Sequence, residues 1–168
     1  MSLTETQNYV AQNTAEVVAL LSEFAQTDVL LFWHPKAEIN AVQQQNWQPV
    51  LDKINRSLNS VFKSSSGINI LPQNKTSAQI FAQALKGLPI NDLTAVYVAA
   101  LNLKSPLLAY ALAQKIITPD EAFSLAFLEE LYQNKEWGED AEALQRRAQI
   151  KAEIKQVGEY LNEQMSSY

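Results

Sequence analysis

The stretch from Ser105 to Tyr132 reads SPLLAYALAQKIITPDEAFSLAFLEELY, and its reading decides the fold class. Ser105-Pro106 predicts a helix start, because proline lacks an N–H and its fixed φ suits the first turn. Leu107, Leu108, Ala109, Tyr110, Ala111 and Leu112 then make the segment to Ile116 apolar nearly all round, as a buried core helix is. Thr118-Pro119-Asp120-Glu121 combines an N-cap, a proline at the first helical position and a capping-box glutamate. The helix it opens is expected to carry Ala122, Phe123, Leu125, Ala126, Leu128, Leu131 and Tyr132 to about Lys135. Two consecutive helices with such clear starts predict an all-α chain.

The same periodicity extends outward in both directions. A helix is expected from about Asn91 to Leu103, before the Ser105 start. Thr76-Ser77-Ala78-Gln79 reads as a capping box opening a helix to Gly87, and Asn13-Thr14-Ala15-Glu16 as another ahead of Val17, Val18, Leu20, Leu21 and Phe24. Val29-Leu30-Leu31-Phe32-Trp33 is short enough for a strand or a helical turn, and His34-Pro35 marks a break. From Ala37 to Phe62 the spacing is helical, with Pro49 expected to kink the segment or to start a new helix after Trp47. Lys63-Ser64-Ser65-Ser66-Gly67 predicts a surface loop, and Ile68 to Leu71 a short extended piece. After a turn at Trp137-Gly138-Glu139-Asp140, a last long helix places Ile150, Ile154, Val157 and Leu161 on one stripe. No repeat or long linker divides the chain, so residues 1–168 are expected to form a single helical domain.

Composition narrows the function classes. Apolar residues make up 47% of 168, enough for a real core, and the chain has only four Gly and six Pro. With no cysteine, a disulfide framework, a thiolate nucleophile and cysteine-ligated metal sites are excluded. A net charge of −5 and a pI near 4.9 predict no nucleic-acid partner. The apolar region Leu93 to Ile117 holds Asn102, Lys104, Ser105 and Pro106 near its middle, which predicts two core helices and no membrane insertion. The N-terminal sequence has no basic segment followed by an apolar stretch, and it carries Glu5 and no Arg. The expected localisation is the bacterial cytoplasm, or the mitochondrial matrix if a presequence has been removed.

Chemistry is sparse. His34, the one histidine, has no G-x-S-x-G elbow or oxyanion loop to work with, so catalysis through it is not expected. Glu129-Glu130 and Glu136-Glu139-Asp140 are the dense acidic groups, but the Glu-x-x-His pairs of di-iron bundles are missing. No catalytic residue, metal or cofactor is therefore predicted. Arg146-Arg147 reads as part of a solvated helix face, and Trp33 and Trp47 as core. Trp137, beside Gly138 and among acids, reads as partly exposed and suited to a basic protein partner.

The segment from Leu128 to Asp140 resembles the signature of the F-type ATP synthase assembly factors that chaperone the α subunit, the Atp-twelve family. The matching residues are Leu128, Glu129, Glu130, Tyr132, Gln133, Trp137, Gly138, Glu139 and Asp140. Thr27-Asp28-Val29-Leu30-Leu31-Phe32 is similar to the family's Asp-containing apolar stretch. Gln44 or Gln45 with Trp47, Pro49, Val50 and Leu51 resembles its Gln…Trp-x-Pro-Leu-Leu element. Leu107 to Leu112 and Thr118 to Phe123 match its paired helices. The family's usual Ser-Arg is Ala126-Phe127 here. The resemblance runs over residues 14–160, with 1–13 and 161–168 as flanking tails. It implies a single orthogonal domain of about six to eight helices, without the family's N-terminal mainly β domain, as an excised piece or a naturally short relative.

It further implies a protein, not an enzyme, that binds the unassembled α subunit, prevents its aggregation and releases it to the β subunit; the oligomeric state is left open, with a monomer favoured. The implied partner contacts are Glu129, Glu130, Tyr132, Gln133, Trp137, Glu139 and Asp140. Two other readings remain: a generic helical adaptor with an unrelated partner, and an enzyme built on carboxylates in a helical bundle.

Overall fold

Residues 2–66, 75–138 and 140–166 are described by the computed structural model, and most of them are helical. In chain order these are α1 (Leu3–Gln12), α2 (Thr14–Ala25), a 3-10 turn (Val29–Leu31), β1 (Phe32–Trp33), α3 (Ala37–Leu58), β2 (Ser65–Ser66) and α4 (Lys75–Lys86). There follow α5 (Ile90–Leu103), α6 (Pro106–Ala113), α7 (Pro119–Ala126), α8 (Leu128–Trp137) and α9 (Ala141–Ser166). The all-α expectation holds, with two helices more than the sequence periodicity marks: α1, and the division of α7 from α8.

The centre of the fold is α6 with α5. All seven residues from Pro106 to Leu112 are buried, and α5 packs on α6, α9 and α1 at once. Asp28, itself fully buried, holds this centre to the preceding turn. Its Oδ1 accepts from the Leu30 amide at 2.9 Å and the Ser105 hydroxyl at 2.6 Å, and its Oδ2 from the Leu107 amide at 2.8 Å. Ser105 Oγ in turn accepts from Leu108 N–H at 3.0 Å, so hydroxyl and carboxylate together satisfy amides that α6 cannot pair internally. Burial pushes the Asp28 carboxyl up to about 6 against the pull of these three hydrogen bonds.

The Thr118 capping box forms as read, with the Glu121 amide donating to Thr118 Oγ1 at 3.1 Å and Thr118 N–H to Glu121 Oε1 at 3.2 Å. Two others do not. Asn13 does precede α2, but its side-chain amide donates back to the Tyr9 carbonyl at 2.9 Å and caps nothing ahead. Thr76 lies inside α4, and Ser77 Oγ accepts from the Val61 amide at 2.9 Å across the loop. Residues 1–13, expected as a tail, instead include α1, opened by a capping box between Ser2 and Glu5 and anchored by the fully buried Val10. At the other end α9 continues to Ser166, with Leu161 buried.

The ambiguous apolar run after α2 is both things at once, a 3-10 turn and then β1. Strand β1 pairs in parallel with β2, Phe32 opposite Ser65 and Trp33 opposite Ser66, so the expected loop contains a short strand. Gly67 and the expected extended piece from Ile68 to Leu71 lie outside the described residues. Helix α3 runs through Pro49 as one assigned helix and stops at Leu58, short of Phe62. There Asn59 takes the left-handed conformation, φ 57°, that commonly ends helices. Asn55 Oδ1 then accepts from the Phe62 amide at 2.9 Å, turning the chain back.

Candidate functional site

Six of the seven expected partner contacts lie on α8 or just beyond it, and α8 is held differently from the core helices. The expected single helix breaks at Phe127 because the end of α7 is taken by α3: the buried Trp47 donates its indole N–H to the Leu125 carbonyl at 2.8 Å. That satisfies one carbonyl at the end of α7, and Phe127 adopts φ −104°, ψ 17° before the next helix begins.

From there α8 is fastened by polar side chains on two sides. Toward α3, Glu129 Oε2 accepts from the Gln43 side-chain amide at 3.4 Å, and its Oε1 lies 3.8 Å from His34 Nε2. Gln43 is fully buried, and its Oε1 accepts from the His34 backbone N–H at 2.7 Å. His34 Nδ1 accepts from the Lys36 amide at 2.9 Å, so in the neutral imidazole the proton sits on Nε2, facing Glu129. One turn on, the Tyr132 hydroxyl donates to Glu38 Oε2 at 3.4 Å. Toward α9, Glu130 Oε1 accepts from Arg147 Nη1 at 2.6 Å and from Arg146 Nη2 at 3.2 Å. With its amide turned so that the oxygen faces the guanidinium, Asn134 accepts from Arg147 Nη1 and Nη2 at 3.0 and 2.9 Å.

Two expectations change here. Arg147 is not on a solvated face: its side chain is 3% exposed, a buried cation that Glu130 and Asn134 compensate, while Arg146 is 61% exposed. Glu129 and Glu130, adjacent in sequence, point to opposite neighbours and are not one acidic patch. Trp137 matches its expectation at 80% exposure, Trp47 is core, and Trp33 is half-buried with its indole N–H on the Leu30 carbonyl. Gln133 is half-buried. Asp140 is exposed and accepts from the Glu142 amide at 3.2 Å, at the start of α9. Glu139 lies outside the described residues.

No described side chain of α8 is buried, although the helix carries Leu128, Leu131, Tyr132 and Trp137. An open groove of about 540 Å³ runs along it, with Leu128, Leu131, Tyr132 and Lys135 of α8, Ser124 of α7 and Val42 of α3 in its walls. His34 and Glu129 alone do not make an acid–base site, since no nucleophile is among their hydrogen-bond partners in the described residues. Among those residues, too, no group of three or more potential metal ligands occurs, and no helix is long and apolar enough to cross a membrane.

Atp12 from Paracoccus denitrificans superposes on the chain with TM-score 0.86, at 24% identity, over 91% of this chain and 66% of that one. An aspartate-to-lysine mutant of the same protein gives 0.85 over the same shares. The chain has the Atp12 fold. A candidate chaperone from Agrobacterium tumefaciens is 32% identical and superposes with TM-score 0.80, over 92% of this chain and 58% of its own. No family model matches, and no curated protein does. The resemblance read from the sequence is thereby borne out at the level of fold. The chain spans about two thirds of the length of Paracoccus Atp12, and less of the Agrobacterium protein.

What the sequence left unmarked is the set of residues that hold α8 in place. Gln43 carried a signal: it falls in register with Ile39, Trp47 and Val50 on the buried face of α3. Arg147 carried a weaker one: it stands three and seven residues before Ile150 and Ile154 on the stripe of α9, but its charge and its neighbour Arg146 favour the solvated reading.

Proposed function

We propose that this chain is an assembly chaperone of the F-type ATP synthase, or its helical domain. In this reading it binds the unassembled α subunit, keeps that subunit from aggregating and yields it to the β subunit. A subunit awaiting assembly exposes apolar surface that is later buried between subunits, and such surface aggregates. Covering it reversibly requires a rigid scaffold, a partly apolar surface and no bond-making chemistry, so no enzyme activity is assigned. The work would be done in the compartment where the subunits meet, the bacterial cytoplasm or the matrix.

The observation that carries this reading is α8. It is a helix with two leucines, a tyrosine and a tryptophan, pinned at both sides by carboxylates yet with none of its described side chains buried. The Atp12 fold supports the same reading, as does the likeness to a candidate chaperone. Glu129, Tyr132, Gln133, Trp137, Glu139 and Asp140 are the proposed contacts. Glu130 is proposed to act through the placement of α8.

Co-expression with the host's ATP synthase α subunit, followed by affinity pull-down, tests this. Wild type is expected to retain soluble α subunit, and Glu129→Lys to lose it while remaining folded. Failure of wild type to retain any would remove the α subunit as the partner of this chain and turn the search to an unrelated one.

A further inference from the structure

The groove along α8 has a character that neither the signature residues nor the fold assigns. Its floor is apolar, from Leu128 and Leu131 of α8 and Val42 of α3. Leu131 is only half-buried, and it is not among the half-buried side chains that pack on the main core. Leu128, Leu131 and Lys135 recur about once per turn along α8, which gives the wall the ridge spacing that another helix meshes with. At 540 Å³ the groove is the size of a ligand site, but it is an open trough and not an enclosed pocket.

We propose that this groove takes an amphipathic helix of the client protein, with apolar side chains on Leu131 and Val42 and lysine or arginine along its flank. The inference rests on the assembly reading above and specifies what is grasped. A helix suits the site better than an extended segment. Its backbone is already hydrogen-bonded, whereas a strand would need a row of free backbone partners, and the walls here are the sides of helices. The charge around the groove selects a basic flank. Tyr132, in its wall, donates to Glu38; Glu129 sits one turn earlier on α8; Asp140 and Glu142 follow Trp137 where α8 ends. Against these stands Lys135 in the wall, with Lys36 ahead of α3, and the whole chain carries −5.

The test uses fluorescein-labelled peptides of about 18 residues, long enough to be helical, with a leucine stripe and either lysines or glutamates on the remaining face. Anisotropy is measured with wild type, Leu131→Asp, and Leu101→Asp as a control at an exposed leucine on α5. Circular dichroism checks that each variant is folded. The lysine peptide is expected to bind wild type at least tenfold more tightly than the glutamate peptide. Leu131→Asp should weaken it at least tenfold, and Leu101→Asp less than twofold.

Equal binding of the two peptides would overturn the proposal, as would a folded Leu131→Asp that binds like wild type or no binding to wild type at all. Pull-down of α subunit with the same variants separates the two levels. If wild type and Leu131→Asp retain the subunit equally, the groove assignment falls and the assembly reading stands. If wild type binds the lysine peptide through Leu131 but retains no α subunit, the groove stands and that client falls.

Discussion

Helices α6 and α8 are of similar length, and each carries a tyrosine with leucines, three in α6 and two in α8, yet the fold treats them in opposite ways. In α6 every residue from Pro106 to Leu112 is buried, and its start is capped by Ser105 and braced by Asp28. In α8 no described side chain is buried, its start has no side-chain cap, and it is held from outside by Gln43, Glu38 and Arg147. The core explains all of α6. It does not explain why α8 should keep Leu131 and Trp137 where water reaches them; the proposed client would supply the missing reason.

The comparison is broken most severely at Asp28. Replacing it with alanine strips the partner from three buried donors, the amides of Leu30 and Leu107 and the Ser105 hydroxyl. Each such loss costs roughly 1–3 kcal/mol, so Asp28→Ala should lose about 4 kcal/mol or more in chemical denaturation. No single substitution on the exposed face of α8 should approach that.

Asp28 also gives α6 a pH signature. Its carboxyl stands at about 6 in the fold against an ordinary 3.8. Between those values the folded state holds a proton that the unfolded chain has released. Stability from this group is therefore fully present below about pH 4, falls as pH rises to about 6, and is level above. The fall is up to about 3 kcal/mol. Other carboxylates superimpose their own slopes, so the measurement is the wild-type unfolding free energy minus that of Asp28→Asn from pH 4 to 7. That difference should decline toward pH 6, and a flat difference would mean the carboxyl is not desolvated as the geometry requires.

Glu130→Lys comes next. It leaves the buried Arg147 facing a like charge in place of the carboxylate it pairs with. A fully buried pair broken this way costs about 3–5 kcal/mol. Glu130 is 32% exposed, and solvent screening lowers the expectation to about 1–2 kcal/mol. Client retention should fall with stability and recover when the temperature is lowered. Glu129→Lys should separate the two, with client lost and a stability cost of no more than about 1 kcal/mol, that of its one long hydrogen bond from Gln43. If both lysine variants lose client with no loss of stability, Glu130 touches the partner directly and the ion pair with Arg147 is incidental.

The difference between the two helices also governs how much could be read from sequence. Helix α6 was legible because burial demands a continuous apolar run, and its start needs residues with one local job, Ser105 and Pro106. The Thr118 box was legible for the same reason. The Asn13 and Thr76 boxes have the same pattern and did not form, and neighbouring polar side chains are used elsewhere: Asn13 donates back to the Tyr9 carbonyl, and Ser77 accepts from the Val61 amide. The Ser2 box did form, and its Ser-x-x-Glu spacing was in plain view without an apolar run behind it strong enough to mark a helix. The break between α7 and α8 was not legible, because its cause is Trp47, 78 positions from the carbonyl it bonds. The surface of α8 was read from resemblance. Its fastening is tertiary: Gln43 falls in register with the buried face of α3, but nothing local says that α8 is what it meets.

The smallest expected effect on stability is the sharpest test of α8. Trp137 is 80% exposed at the last position of the helix, followed by Gly138 at φ 85°. A tryptophan that the fold requires would lose stability on truncation, as large buried aromatics do, by about 3–5 kcal/mol. Trp137→Ala is expected to change the unfolding free energy by less than about 0.5 kcal/mol, the range of ordinary surface substitutions. Exposed aromatics that anchor partners behave otherwise in binding, where one truncation commonly costs about 2 kcal/mol or more. Equilibrium pull-down of α subunit should therefore weaken by at least about tenfold in Trp137→Ala while the denaturation curve overlays wild type. If retention is unchanged as well, the client does not reach the end of α8, and its contacts must lie nearer Glu129 and the groove.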